Sequence, residues 1–303
     1  MKLHSLPRRA AAIALSATLL LAAGCASSSK HGTPDDPGAS LRVSHQLNAD
    51  LPDDIRSRGE LRVVTDASYA PASSFAADGR TIIGFEPDLG AALGRVLGIR
   101  VVFRNADFAT LPALVNSGRA DLIISAMTDT AEREKDLDFV NYFAAGTSVV
   151  VSRGNPHGIS DLESLCGQRV AVQAGTVQQD LLKREQSRCG AKLIKVTATD
   201  TNDDALMLLR TGRAAAMLMD YPPAEALTTD PSTRAHYQLA TTTQYEPGLY
   251  GIGIAKGNTA LRETVSAALS VLISSGTYAA VLREWNVSEG AVAEVSTNAA
   301  TGG

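Results

Sequence analysis

The sequence has few of the residues that most often carry out chemistry. Among 303 residues it has three cysteines and five histidines, and no two cysteines form a CxxC pair. No histidine pair lies near a cysteine, so the spacing does not indicate a metal site. The GxSxG, P-loop and HExxH motifs do not occur in it. We therefore predict no metal, no cofactor and no catalytic residue.

An excess of positive charge is also missing. The chain has 28 basic and 32 acidic residues. Three of the basic residues are Lys2, Arg8 and Arg9; without residues 1–24, 25 basic residues stand against 32 acidic ones, a net charge of −7. A negative protein is a poor partner for nucleic acid, so we predict none.

The sequence offers no membrane-spanning segment, but its first residues indicate export. Residues 10–23 form an apolar run of 14 residues behind the basic residues, shorter than the roughly 20 that a spanning helix needs and typical of a signal peptide. The run ends in LAAGC at residues 21–25, which resembles the lipobox of bacterial lipoproteins. We predict a signal peptide over 1–24 and lipidation at Cys25. An ordinary cleavable signal with a chance cysteine is the alternative.

The residues after Cys25 support an anchored protein. Residues 26–40 read ASSSKHGTPDDPGAS and hold almost no large apolar side chain, so they cannot bury enough surface to fold. We predict a flexible tether over 25–48 and attachment to the outer face of the cell membrane through the lipid alone.

In an exported chain, the remaining pair Cys166 and Cys189 indicates a disulfide. Two free buried thiols are the alternative.

Beyond residue 60, short β-like runs alternate with amphipathic helical patterns. The predicted strands include residues 61–64, 99–103, 122–125, 169–173, 192–196 and 214–219. Between them lie helices such as residues 87–97, where Leu89 and Leu93 share one face. This alternation predicts an α/β fold with helices on both faces of a sheet. The small and polar residues 291–303 are predicted to be a disordered tail.

Five segments carry a resemblance to a known family. They are GELRVVTDASYAP (59–71), IGFEPDLGAALGRVLG (83–98), SGRADLIISAMTDTAEREKDLDFVNYF (117–143), LCGQRVAVQAGT (165–176) and TGRAAAMLMD (211–220). Residues 59–285 resemble the family 3 extracellular solute-binding proteins, the polar amino-acid receptors of ABC importers. The resemblance implies a monomer that binds an amino acid and delivers it to an ABC permease.

The resemblance also implies a two-lobed clamp of the type II periplasmic-binding-protein kind. Lobe 1 is expected to be discontinuous, with residues 49–146 and 245–290, and lobe 2 to contain residues 147–244. Two hinge strands are expected to cross between the lobes, near residues 147–152 and 241–250.

An amino-acid receptor needs an anion site for the α-carboxylate. Arg133 matches the family's carboxylate-binding arginine, and a guanidinium can hold both oxygens of a carboxylate. Thr176 and Val177 lie where a strand turns into a helix, whose first N–H groups attract anions. The alternatives are a solvated arginine within a charged run and a plain helix cap at Thr176.

The ammonium and the side chain of the ligand need separate contacts. Asp220 matches the family's amine-binding aspartate, with capping of a turn before proline as the alternative. The same resemblance places Ser125, Ala126 and Thr128 in the binding site, with neutral contacts expected from Ser125 and Thr128. For the side-chain pocket we predict Tyr69 and Phe108, either of which could instead be ordinary core, and Asp66. A carboxylate at position 66 suits a distal ammonium, guanidinium or amide and repels a distal carboxylate.

The expected function is capture of arginine, lysine, histidine or glutamine by lobe closure. A sensory receptor that signals through a separate protein is one alternative. A cyclohexadienyl-dehydratase-like enzyme on the same fold is another, and it would need a general acid. Glu86 or Glu246 could be proposed for that role, but no residue pattern supports either. We therefore predict a binding protein and not an enzyme.

Overall fold

The computed structural model describes residues 41–300, and its main feature is a ten-stranded sheet flanked by helices. The first half contains α1 (His45–Asp50), α2 (Asp53–Arg58), β1 (Glu60–Thr65), β2 (Ser68–Tyr69), β3 (Ser73–Phe75), β4 (Ile82–Ile83), α3 (Phe85–Leu97), β5 (Arg100–Asn105), α4 (Leu111–Asn116) and β6 (Leu122–Ile123). The second half contains β7 (Leu137–Ser152), β8 (Arg169–Gln173), α5 (Val177–Gln186), β9 (Lys195–Thr199), α6 (Asn202–Arg210), β10 (Ala216–Asp220), α7 (Tyr221–Thr229), β11 (Tyr237–Leu239), β12 (Tyr245–Ala255), α8 (Thr259–Ser274), α9 (Thr277–Glu284) and β13 (Ala291–Thr297). The α/β prediction is confirmed.

The helix α3 shows why these residues form these elements. Its apolar side chains recur every three to four residues, and Leu89, Leu93 and Val96 are all buried. The helix ends at Gly98, whose backbone is left-handed with φ of 67°, a conformation that glycine adopts without steric cost. The chain then enters β5, which pairs in parallel with β1.

The strand order of the sheet is β5-β1-β6-β12-β7-β10-β8-β9. The pairs within β5-β1-β6 and within β10-β8-β9 are parallel, whereas β12 and β7 are antiparallel to each other. The long strand β7 joins both parallel units. Its first part lies between β12 and β13, and its last part lies between β10 and β11.

The buried apolar side chains divide in the way expected for two lobes. Two clusters take their buried members from residues 51–143 and 250–287, and two others take theirs from residues 149–237. Tyr69 packs against a cluster of each kind. The two lobes therefore have separate cores, and their exact bounds stay a prediction.

Two predictions about the ends of the chain are wrong. Residues 291–297, predicted to be disordered, form β13, because backbone groups can pair with β7 whatever their side chains and because Val292 and Val295 pack on the core of lobe 1. Residues 45–48, assigned to the tether, belong to α1, whose first turn is capped by the Ser44 hydroxyl. The predicted signal peptide and Cys25 lie outside the described residues.

Across residues 41–300, no single helix is long and apolar enough to cross a membrane. The helices α8 and α9 meet the length and composition criteria as a pair, with a bend of 77° between them. Both helices bury apolar side chains in the core of lobe 1.

Candidate functional site

A small cavity lies where the two lobes meet. Its walls are Asp66, Tyr69, Phe108, Ser125, Ala126, Thr128, Arg133, Gln173, Thr176, Val177, Gln178 and Asp220. All ten residues predicted to bind the ligand are among them, although they are spread over more than 150 positions of the sequence. The cavity volume is about 20 Å³, close to the space that one water molecule needs.

The sheet explains why these residues converge. Asp66 follows β1, Ser125 follows β6, Gln173 ends β8 and Asp220 ends β10. The carboxyl ends of parallel strands form the crevice in which open α/β sheets bind ligands. Each parallel unit therefore contributes one wall of the cavity.

Arg133 supplies the positive charge of the cavity. It begins a short 3₁₀ helix, Arg133–Lys135, and its Nη1 donates a 2.6 Å hydrogen bond to the Thr128 carbonyl oxygen. Its Nη2 donates a 2.9 Å hydrogen bond across the cleft to the Gly175 carbonyl oxygen. Burial lowers the pKa of Arg133 to about 10, so the group remains a cation at neutral pH. Its guanidinium lies 5.5 Å from the centre of the Phe108 ring, within the range of a cation–π contact.

The start of α5 faces Arg133 from lobe 2. Thr176 caps this helix: its Oγ1 accepts a hydrogen bond from the Gln179 N–H and donates one to the Gln173 carbonyl oxygen. Gly175 before it has φ of 76°, and a Cβ there would lie 3.1 Å from the Ala109 side chain. Glycine thus permits both the left-handed turn and the close approach of lobe 1. The capping role and a role in anion binding are compatible.

Asp220 supplies a negative charge on the lobe 2 side. Its carboxylate accepts hydrogen bonds from the Tyr69 hydroxyl, at 2.9 Å, and from Gln178 Nε2, at 2.7 Å. The Asp220 N–H also donates to the Tyr69 hydroxyl oxygen, at 2.8 Å. Burial raises the pKa of Asp220 to about 6. A cationic group brought beside this carboxylate would stabilise its charged form.

Asp66 lies on the lobe 1 side with only 4% of its surface exposed. One oxygen accepts hydrogen bonds from the N–H and the hydroxyl of Ser68. The other accepts from the Phe108 N–H, at 3.3 Å, and from Gln173 Nε2, at 2.5 Å. Ser125 accepts a 2.9 Å hydrogen bond from the Asp66 N–H. This arrangement can bind a cation or an amide in the position that the Gln173 side chain now takes.

The backbone of Ala126 is held from behind by a buried carboxylate. Ala126 has φ of 46°, unusual for a residue with a side chain. Its N–H donates a 2.5 Å hydrogen bond to Glu86, whose carboxylate also accepts from Tyr142 and Ser73. Glu86 is fully buried in lobe 1, and burial raises its pKa. Glu86 therefore fixes the shape of the wall without lining the cavity.

Sequence reasoning missed Gln173 and Gln178, and it missed the role of Glu86 as the partner of the Ala126 N–H. Gln173 ends a buried strand, as Asp220 does, and that position was a usable signal. Gln178 lies one residue beyond the start of α5 and gives no such signal. The role of Glu86 depends on a contact with Ala126, 40 residues away, and no local pattern indicates it.

Other contacts also join the two lobes. Asn202 donates two hydrogen bonds to Ser68, one from its N–H and one from its side chain. Arg184 and Glu246 form an ion pair at the rim of the cleft. The proposed acids of the enzyme alternative therefore lie away from the cavity, Glu86 in the core and Glu246 in this exposed pair.

The predicted disulfide between Cys166 and Cys189 is confirmed, with 5.3 Å between the two Cα atoms. It links the segment before β8 to the residues after α5, both within lobe 2. Elsewhere in the described part of the chain, no three histidine, cysteine or acidic residues are grouped as metal ligands.

The sequence profile of the bacterial extracellular solute-binding proteins, family 3, matches residues 61–288. This chain belongs to that family. The family 3 protein described here is 27% identical to the arginine-binding protein ArgT of Corynebacterium glutamicum, over 98% of both chains. Other relatives are named as L-cystine-, glutamine- and histidine-binding proteins.

Solved structures of amino-acid-binding proteins are also similar to this family 3 protein. An ancestral arginine-binding protein bound to arginine is 34% identical, with a TM-score of 0.70 over 75% of this chain and 98% of that one. The ancestral amino acid-binding protein AncCDT-1, a precursor of cyclohexadienyl dehydratase, is 31% identical, with a TM-score of 0.68 over 77% and 98%. The predicted family and the two-lobed type II fold are confirmed.

Proposed function

We propose that this protein is the extracytoplasmic substrate-binding component of an amino-acid ABC transporter. Its ligand is a polar or basic L-amino acid: arginine, lysine, histidine or glutamine. The observation that carries the proposal is the grouping of Arg133, Asp220 and Asp66 around one cavity. A guanidinium and two carboxylates match the α-carboxylate, the α-ammonium and a distal cation or amide.

The α-carboxylate of the ligand binds between the two lobes. Arg133 holds it from lobe 1, and the N–H groups at the start of α5 hold it from lobe 2. The carboxylate thereby replaces the Gly175 carbonyl oxygen as the partner of Arg133 Nη2. The same exchange occurs at Asp220, where the ligand ammonium competes with Gln178. A ligand that contacts both lobes shifts the equilibrium towards the closed clamp, which the permease binds.

Asp66 selects the side chain of the ligand. Its buried carboxylate favours a guanidinium, ammonium or amide over a carboxylate, because two negative charges placed side by side repel each other. Relatives that are named as binding arginine and glutamine support this reading. With a volume of about 20 Å³, the cavity must widen to admit any amino acid, and the contact between Gln173 and Asp66 is the one that a long side chain displaces.

We propose a binding protein and not an enzyme. A dehydratase needs a general acid that reaches the substrate; the two acids considered for that role, Glu86 and Glu246, do not line the cavity, and Asp220, which does, is assigned to the ligand ammonium. The similarity to AncCDT-1 supports the enzyme alternative, but that protein is itself described as amino acid-binding. Assays of cyclohexadienyl dehydratase activity test the enzyme alternative, and turnover would contradict the proposal of a binding protein.

The protein is a monomer held at the outer face of the cell membrane by lipid on Cys25. Labelling with a radioactive fatty acid tests this anchor: the native chain should become labelled and Cys25→Ser should not. Equal labelling of both chains would contradict the lipid anchor and leave the binding function untouched.

The binding function is tested by thermal unfolding with each of the twenty amino acids. The protein is first unfolded and refolded to remove carried-over ligand. A ligand at a hundred times its Kd adds about 2.7 kcal/mol to the free energy of unfolding, a shift that a melting curve resolves. We expect shifts with arginine, lysine, histidine or glutamine. A response to glutamate alone would contradict the role of Asp66, and no response at all would contradict the proposed function.

A further inference from the structure

The last described residues of the chain lie against the loop that carries Arg133. We call residues 298–300 the C-terminal strap and residues 129–136 the Arg133 loop. The strand β13 pairs with Asn141 and Val140 of β7 through Ser296 and Thr297, and so delivers the strap to this place. None of the strap residues lines the cavity.

Asn298 fixes the strap to the start of β7. Its side-chain oxygen accepts a 2.8 Å hydrogen bond from the Phe139 N–H, and its side-chain nitrogen donates a 3.0 Å hydrogen bond to Asp138. Its N–H also donates to the Phe139 carbonyl oxygen, at 3.2 Å. Asn298 therefore provides hydrogen-bond partners for both the N–H and the carbonyl oxygen of Phe139.

The next two residues bind both flanks of Arg133. The Ala299 N–H donates a 2.9 Å hydrogen bond to Asp129, and the Ala300 N–H donates a 3.0 Å hydrogen bond to Glu134. Asp129 precedes Arg133 in the loop, and Glu134 is its immediate neighbour. Two successive backbone donors thus fasten the loop on either side of the residue that faces the cavity.

The carboxylates of the loop need these donors. Asp129 is 2% exposed, and in residues 41–300 its Oδ1 has no hydrogen-bond partner, while its Oδ2 has Asn141 and Ala299. Burial and the nearby Glu134 raise the pKa of Asp129 to about 6. A buried carboxylate that loses a donor is strongly destabilised where it stands, so removal of the strap should let the loop move.

We propose that the C-terminal strap positions Arg133 for the ligand: by binding Asp129 and Glu134 it holds the Arg133 loop in the shape that receives the α-carboxylate. The strap does not line the cavity, so its residues are positioning residues. The inference rests on the proposed function, since Arg133 needs a fixed place only if it binds a carboxylate. It gives a role in binding to a part of the chain outside the family match, which ends at residue 288.

The test compares Ala299→Pro with Ala299→Ser in the full chain. Proline removes the N–H that binds Asp129, whereas serine keeps it. A second pair ends the chain after Thr297 or after Ala300, without or with the strap. Affinities for L-arginine and L-glutamine are measured by calorimetry. Hydrogen exchange of residues 129–136 is measured on the ligand-free proteins, with β8 as an internal reference.

We expect Ala299→Pro and the shorter truncation to weaken affinity about three- to tenfold and to speed exchange in the Arg133 loop about tenfold. Exchange in β8 should not change, and Ala299→Ser and the longer truncation should match the native protein. Equal exchange and affinity in both members of each pair would overturn the proposal. If the native protein binds neither L-arginine nor L-glutamine, the affinities are measured with L-lysine and L-histidine instead; failure with all four contradicts the proposed function, while exchange still decides whether the strap holds the loop.

Discussion

The two walls of the cavity are built differently. The lobe 1 wall is supported from behind by buried polar contacts, with Glu86 on the Ala126 N–H and Asn141 on Asp129. The lobe 2 wall is backed mainly by apolar side chains such as Val172 and Leu218, and its polar side chains reach into the cleft. The Gln173 side chain donates a hydrogen bond to Asp66, and the Gln178 side chain donates one to Asp220.

This difference indicates that the two lobes contribute to ligand binding in different ways. Directional hydrogen bonds fix the lobe 1 wall before the ligand arrives, which lowers the ordering cost of binding. The lobe 2 wall adapts, because its glutamines can exchange one partner for another. Changes behind the lobe 1 wall should therefore weaken ligand binding, and changes behind the lobe 2 wall should not.

The largest effect is expected at Arg133, which belongs to the fixed wall and is proposed to bind the α-carboxylate of the ligand. Arg133→Ala should weaken affinity for the amino acid found in the thermal screen by about a hundredfold or more, because it leaves a buried carboxylate without its cation. Arg213→Ala, an exposed arginine of lobe 2, is the control and should bind normally. Calorimetry measures both. Similar affinities for the two variants would show that the carboxylate binds elsewhere.

The next effect concerns pH and the adaptable wall. The pKa of Asp220 is raised to about 6 by burial, and the binding proposed for the ligand ammonium needs the charged form of this carboxylate. Affinity should therefore fall about tenfold between pH 7 and pH 5. Calorimetry at several pH values and one ionic strength measures this. Asp220→Asn should bind weakly with little pH dependence, and an equally steep dependence in that variant would assign the titration to another group.

Stability should change in the opposite direction over the same pH range. A carboxyl whose pKa is raised on folding binds protons more readily in the folded state than in the unfolded state. The free energy of unfolding of the ligand-free protein should then rise as pH falls from 7 to 5. Asp129, with a pKa also raised to about 6, adds in the same direction. Thermal unfolding without ligand checks the sign.

A smaller effect is expected at Glu86, behind the fixed wall. Glu86→Gln keeps the size of the side chain but weakens the contacts with Ala126 and Tyr142. We expect about 1–3 kcal/mol loss of stability and about fivefold weaker binding. Asp88→Asn on the same helix is the control, because Asp88 accepts a hydrogen bond from Trp285 on the far side of α3. It should lose stability alone, and equal affinity losses in both variants would contradict the comparison.

The smallest effect on affinity is expected for the disulfide behind the adaptable wall. Replacing Cys166 and Cys189 by serine should lower the free energy of unfolding by about 3 kcal/mol, from the loop-closure entropy of the unfolded chain. Affinity should change less than twofold, because the apolar packing of Leu181 and Leu182 still places α5. Denaturant unfolding and calorimetry separate the two quantities. A tenfold loss of affinity would show that the lobe 2 wall also depends on support from behind.

Much of the site could be predicted because its residues lie in local patterns. Asp220 ends a strand, Thr176 begins a helix, and Arg133 lies in a motif that can be read in one stretch. All ten predicted binding residues meet at the cavity, while their roles stay a prediction. The elements of the fold could be predicted for the same reason, as α3 shows, with apolar residues on one face and Gly98 at its end.

The remainder depended on contacts between distant segments. Strand β9 begins at Lys195, three residues later than predicted, since an edge strand with exposed Lys195 and Thr197 has a weak apolar pattern. The strand β13 consists mostly of small and polar residues, which gain order from pairing with β7 and from the packing of Val292 and Val295 on the core of lobe 1. Glu86 likewise acquires its role through Ala126 and Tyr142, which the fold brings to it.

The strand β7 has a consequence for how this protein can vary over evolutionary time. Its 16 residues run unbroken from lobe 1 into lobe 2. Side chains along a strand alternate between its faces, so one inserted or deleted residue near Gly146 would turn every later side chain of β7 to the opposite face. Substitutions in β7 change one contact, whereas a change of length would misalign a whole lobe. Lineages of this protein should therefore keep the length of β7 constant and place their insertions in loops such as residues 153–160.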